Sequence, residues 1–322
     1  MTTPETIGPV ERALWMRAVW PFASLRARPL AALARLMRED VVPAGGAIVP
    51  VGRGARSVRL LVEGRLRARG TGEANDVLEA PQVIGLTEML AGRELRVALA
   101  AETDATILTI PGAAFLDLLE EEFVLVQQLR QAFGQAVADA QEARGDWVPD
   151  ELPEASSAPH PDLERFVDRM LALHRVPMLR ECGVAVLATL LRDEPVRQLA
   201  AGDTLFAAGS AAERIAVIAD GAVVGTAASG ATFRAGPGTM LGDNEALTGV
   251  PYAYTAVCEA PAAVIALDPR DIWDAADDHF HVARAVLAAS ARRLLRLQGR
   301  PVAALATTAA ADRPSPAAPE VS

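Results

Sequence analysis

The sequence predicts an α+β chain of two similar domains, each a jelly-roll-like β-core flanked by helices. Three observations predict it. The chain has 322 residues, about two domains' worth of polypeptide. Hydrophobic residues make up 51% and charged residues 22%, which is enough apolar surface for packed cores. The chain also repeats itself. Ala44-Gly45 recurs at Ala201-Gly202, Gly52 at Gly209, Glu63-Gly64 at Asp220-Gly221, Gly85 at Gly242, Gly92 at Gly249 and Phe123 at Phe280. Every pair is 157 residues apart, with no gap over about 80 residues. That register means two copies of one domain, not a short-period solenoid.

Each copy opens on a helical segment, RPLAALARLMRE in the first and GVAVLATLLRDE in the second. Short β-like runs follow, punctuated by glycine. They are AIVPVG, SVRLLVEGRLRARG and VALAAETDATILTI, then TLFAAG, RIAVIADGAVVGTA and YTAVCEAPAAVIAL. Strands at this spacing with Gly turns suggest a small barrel or jelly roll. A helix closes each copy, AAFLDLLEEEFVLVQQLRQAFGQAVADAQEAR and DIWDAADDHFHVARAVLAASARRLLRLQ. Their apolar residues recur at three- and four-residue steps, as a packed helix requires. Between the copies, residues 145–162 are rich in Pro, Ser and acid and read as a linker. The expected organisation is a first domain over 1–144, the linker, a second domain over 163–300 and a disordered tail over 301–322.

Composition excludes several classes of function. A net charge of −10 and a pI near 5.0 argue against nucleic acid or an anionic membrane as partner. All 31 basic residues are arginine, a sign of genome composition more than of function. Cys182 and Cys258 make neither a disulfide framework nor a metal cluster, and suit a reduced cytoplasm. The N-terminal MTTPETIGPVER lacks the pattern of a signal peptide, and no apolar run reaches membrane-spanning length. The cytoplasm is therefore the expected location. His279-Phe-His281 has no further ligand at a zinc spacing, so no metal is expected. No nucleophile–base motif or phosphate-binding loop stands in a convincing context, so no enzyme is expected. Arg284, Arg292, Arg293, Arg296 and Arg300 punctuate the last helix and read as solvated charges near its C-terminus.

The order of these pieces resembles the cyclic-nucleotide-binding domain over roughly residues 15–140 and 163–298. The markers are the turns Pro43–Gly46 and Ala200–Asp203, the hairpins Val62–Leu66 and Ala219–Val223, and cassettes opening at Gly85 and Gly242. The resemblance implies two β-roll domains, each flanked by helices, with a phosphate-binding cassette between two strands. In that family the cassette begins Gly-Glu, and the glutamate binds a ribose hydroxyl. An arginine nine or ten residues after it pairs with the cyclic phosphate. Amides at a helix N-terminus assist, since they carry partial positive charge. Tandem copies also resemble the regulatory subunits of cyclic-AMP-dependent kinase.

Set against that pattern, the two cassettes differ. The first reads IGLTEMLAGRELRVA, with Leu86 in place of the acid and Arg96 ten residues on. The second reads LGDNEALTGVPYAYT, with Asp243 at the acid and Tyr252 or Ala253 at the arginine. Each copy has thus lost a different half of the pair. The candidate ligand-binding residues are Gly85, Glu88 and Arg96 in the first copy, and Gly242, Asp243, Asn244, Tyr252 and Tyr254 in the second. The two tyrosines are two apart and face the same way on a strand, as a stacking surface or as packing over an emptied pocket. The expected function is non-catalytic regulation or scaffolding through protein contacts, with no cofactor, or a cyclic nucleotide held weakly. The alternatives are a cyclic-nucleotide sensor with an atypical pocket and a structural part of a homo-oligomer. The expected partners are accordingly another protein or further copies of this chain.

Overall fold

The computed structural model describes residues 7–49, 56–70, 77–95, 97–144, 162–192 and 196–298. Its contacts divide the chain into two compact units, Met1–Glu121 with Gln298–Ser322, and Glu122–Leu297.

In the first unit, helices α1 (Pro9–Arg17) and α2 (Ala27–Leu36) precede the strands. Pro29, Leu30, Leu33 and Ala34 form the buried face of α2. One antiparallel sheet orders β1 (Arg38–Val42), β8 (Ala105–Pro111), β3 (Ser57–Glu63) and β6 (Gln82–Ile84) as β1-β8-β3-β6. The other orders β2 (Ala47–Val49), β7 (Val97–Ala101), β4 (Arg65–Gly70) and β5 (Val77–Glu79) as β2-β7-β4-β5. Helix α3 (Leu86–Ala91) joins β6 to β7, and α4 (Gly112–Glu121) follows β8. Alternating inward residues such as Leu66 and Ala68 on β4, and Val97, Leu99 and Ala101 on β7, build an aliphatic roll interior.

The second unit begins with α5 (Phe123–Arg144), then α6 (Phe166–His174) and α7 (Val184–Leu190). Its roll repeats the first. β9 (Val196–Leu199), β16 (Ala262–Leu267), β11 (Ile215–Asp220) and β14 (Met240–Leu241) form one sheet. β10 (Thr204–Phe206), β15 (Tyr254–Cys258), β12 (Val223–Ala227) and β13 (Thr232–Ala235) form the other. Helix α8 (Asp243–Thr248) links β14 to β15, and α9 (Pro269–Asp278) and α10 (Phe280–Gln298) close the unit. Asp268 caps α9, its carboxylate accepting from Arg270 N at 2.8 Å with Pro269 at the first helical position.

The 157-residue register holds in space as well as in sequence. Gly45 N donates to Ala101 O, and Gly202 N to Cys258 O, both at 2.8 Å. The hairpin glycines are obligatory in both rolls. At Gly64 (φ +89°) a Cβ would lie 2.3 Å from Asp104 O, and at Gly221 (φ +85°) 2.2 Å from Pro261 O.

Three expectations change. The first helical segment ends at Leu36, because Arg38 and Glu39 pair with β8 as strand residues. Each closing helix is two helices, broken at Glu122 and at His279, where the backbone turns extended (φ −135°, ψ 97°). Helices α1 and α6 were not anticipated. The compact units divide between Glu121 and Glu122, with α5 packed on α8. The expected tail, and all of the expected linker but its last residue, lie outside the described residues.

Candidate ligand cassette of the second roll

Gly242 closes β14 in the left-handed region (φ +74°), which turns the chain straight into α8. A side chain there would also collide with the Tyr252 ring, 2.6 Å from an ideal Cβ. All five residues Asp243–Leu247 are buried. The first-turn amides of such a helix attract an anion or an oxygen acceptor. Here the chain supplies its own. Gly242 N donates to the Tyr254 hydroxyl at 2.9 Å. The Tyr252 hydroxyl donates to Arg214 O at 2.5 Å and accepts from Arg214 N at 3.3 Å.

The rings form one aromatic cluster. Phe206 stacks on Tyr252 at 3.9 Å, and Tyr254 meets Phe206 and Phe233 edge-on at 5.2 and 5.0 Å. Tyr252 and Tyr254 are 6% and 4% exposed, so both rings lie inside the roll and present little surface to solvent. Burial raises both phenol pKa values, that of Tyr254 most strongly.

The polar face of α8 is met by two guanidinium groups. Arg293, on α10, donates to Asp243 Oδ1 at 3.0 Å. Arg130, on α5, donates to Asn244 Oδ1 at 3.1 Å and to Asp243 O at 3.4 Å. Asn244 Nδ2 returns a bond to Gly134 O at 3.2 Å. Glu245 lies in the same buried group. Loss of solvation and the nearby Asp243 charge raise its carboxyl to about 7, against the pull of Arg293 and Arg130.

Both arginines escaped the sequence reading. In sequence Arg293 reads as a solvated charge, yet it is 6% exposed, and Arg130 is 2% exposed. The signal was present in the periodicity. Val286, Ser290, Arg293 and Leu297 form one buried stripe of α10, and Val126, Arg130, Phe133 and Val137 one of α5. An arginine in an apolar stripe has to find a partner inside.

The first roll's cassette is plainer. Gly85 caps α3 at φ +80°, followed by buried Leu86 and Thr87. Glu88 is buried as well, and desolvation raises its carboxyl. Leu95 and Val97 occupy the positions of Tyr252 and Tyr254, so this interior holds no ring at either place. Arg96 lies outside the described residues. Among the described residues, no group of three or more His, Cys, Asp and Glu could hold a metal ion. No described helix is long and apolar enough to cross a membrane.

Residues 196–279 match the family model of the cyclic nucleotide-binding domain. No curated protein matches the chain. Among solved structures, the chain is similar to the regulatory domain of Toxoplasma gondii PKA with cAMP. Identity is 12% over 84% of this chain and 94% of that one, with a TM-score of 0.34. A regulatory subunit of a cAMP-independent protein kinase A from Trypanosoma brucei shows 14% identity over 84% and 87%, with a TM-score of 0.34. The N-terminal domain of a transcriptional regulator from Streptomyces coelicolor A3(2) shows 27% identity over 40% of this chain and 95% of that one, with a TM-score of 0.35. The chain thus holds two β-roll domains, and residues 196–279, in the second, match the cyclic nucleotide-binding domain.

Proposed function

We propose that this chain is a non-catalytic regulatory or scaffold component that works through protein contacts, its cassettes closed or crippled for cyclic nucleotides. The observation that carries this reading is the buried pair of Asp243 and Arg293. Asp243 stands where the family pattern needs a free carboxylate for ribose. A nucleotide entering there has to strip Arg293 of its partner, at a cost of about 3–5 kcal/mol. It also has to displace the Tyr254 hydroxyl from Gly242 N. In the first roll, Leu86 offers no acceptor at all.

Calorimetry with cyclic AMP and cyclic GMP tests the reading. The expected result is no binding tighter than about 1 μM, where association is worth roughly 8 kcal/mol. Tighter binding overturns it. That result favours an atypical sensor, for which Arg130 and Arg293 are the supporting observation, since two guanidinium groups already reach the cassette helix. In that case Asp243→Ala removes the site in the second roll and Arg96→Ala the site in the first. Unchanged stoichiometry in both variants rejects these assignments.

A further inference from the structure

Helices α9 and α10 meet at His279, where one extended residue interrupts the helical run (φ −135°, ψ 97°). Phe280 then starts α10, and His281 follows in its first turn. Both histidines are exposed. An extended link sends residues i and i+2 to the same side of the chain, and the two imidazoles stand next to each other. Their ring centres are 5.6 Å apart and their planes 39° from parallel. Among the described residues, neither imidazole has a hydrogen-bond partner. Set back by the repeat register of 157, the pair becomes Glu122 and Val124, on either side of Phe123. The first copy breaks its closing helix at the same point. The break therefore does not need histidine. Packing accounts for the phenylalanine that both copies share, but for neither imidazole.

We propose that His279 and His281 form a bidentate site for a divalent first-row transition metal, zinc by its bond angle, which clasps α9 to α10 across their break. The site lies outside both cassettes. It goes beyond the reading of the chain as an interaction protein, and neither depends on the other. Imidazole nitrogen is a ligand for zinc, copper and nickel. Two imidazoles on a tetrahedral ion, with metal–nitrogen bonds of about 2.0–2.1 Å, hold their ring centres about 5 Å apart. The observed 5.6 Å is a small side-chain rotation from that span. Asp274, Asp277 and Asp278 are exposed on α9, and their negative potential favours the approach of a cation. They do not complete a group of three ligands, so water fills the remaining positions. Magnesium, which takes oxygen ligands, is a poor match for two nitrogens. Copper(II) binds such a pair more tightly than zinc. A metal held by both rings ties the last residue of one helix to the first turn of the next.

Calorimetry of the full chain with zinc chloride tests this. The expected result is one ion per chain, with a dissociation constant on the order of 10 μM, unmoved by about a hundredfold excess of magnesium. His279→Ala and His281→Ala each weaken binding at least roughly tenfold. Both leave the metal-free melting temperature unchanged, because the side chains are exposed. The chain's other two histidines, His160 and His174, serve as the control, and their double alanine variant binds zinc as the unaltered chain does. Electron paramagnetic resonance with copper(II) counts two nitrogen ligands in the unaltered chain and one in either single variant. Amide hydrogen exchange across residues 276–284 slows when zinc is added, and does not slow in His279→Ala. No zinc binding overturns the proposal. Binding that survives both single substitutions overturns it too, and marks an ion held by surface carboxylates alone. Binding lost in the control variant does the same. Zinc held by the pair without slower exchange removes the clasp, and the proposal fails with it.

Discussion

Tyr252 and Tyr254 act as fillers with polar handles, and each half of that description has a measurable consequence. Tyr252→Ala removes a ring stacked on Phe206, and is expected to lower stability by about 3–5 kcal/mol in chemical denaturation. Tyr254→Phe keeps the ring but leaves the buried Gly242 N–H without its acceptor, for an expected loss of about 1–3 kcal/mol. No loss in either variant means that the loop is a solvated turn. Asp243→Ala strands a buried guanidinium, with an expected cost of about 3–5 kcal/mol, while the double variant Asp243→Leu, Arg293→Met comes out near neutral. Glu245 contributes to the pH dependence. Its folded pKa of about 7 lies above the ordinary 4.5, so the folded state holds the proton more tightly than the unfolded one. The stability this contributes is fully present below about 4.5, declines as pH rises, and is gone above about 7. Glu245→Gln is expected to flatten the stability profile across that window. A profile unchanged by the substitution rejects the assignment.

At the scale of elements, the cassette helix α8 is gripped by α5. Gly134 sits where a Cβ would come 2.3 Å from Thr248 Cγ2 and 2.6 Å from Arg130 Nη1. Gly134→Ala is therefore expected to destabilise by about 1–3 kcal/mol, although alanine is the better helix former by about 1 kcal/mol. Thr248→Ser removes the methyl group and is expected to restore part of the loss. A stabilised single variant shows that the helices separate freely. The strands were legible beforehand because alternation and obligatory hairpin glycines are local signals. The break at His279 was hidden inside continuous helical periodicity. The partners of α8 were hidden for another reason. Arg293 lies 50 residues from Asp243, and Arg130 lies 114 from Asn244, so only the fold brings them together. The acid position itself, Asp243, was legible, since the family spacing marks it. What occupies that acid was not.

At the scale of the molecule, the repeat was visible because both copies keep one register. The second compact unit starts at Glu122, because α5 follows the first copy in sequence and packs on α8. A fragment beginning at 122 keeps Arg130 and Gly134 on α8, and one beginning at 163 loses them. The first is expected to melt higher than the second, by more than the difference that Arg130→Ala makes in the full chain. Equal melting temperatures place the boundary after residue 144 again. The aromatic cluster also makes the molecule spectroscopically lopsided. The chain has two tyrosines, and both are sealed inside the second roll, so near-ultraviolet phenol absorption reports on that half alone. Burial holds both hydroxyls in their neutral form above the usual range. In an alkaline titration, phenolate absorbance should therefore rise in one step with the opening of the second roll, giving a label-free clock for that half while the first roll stays silent.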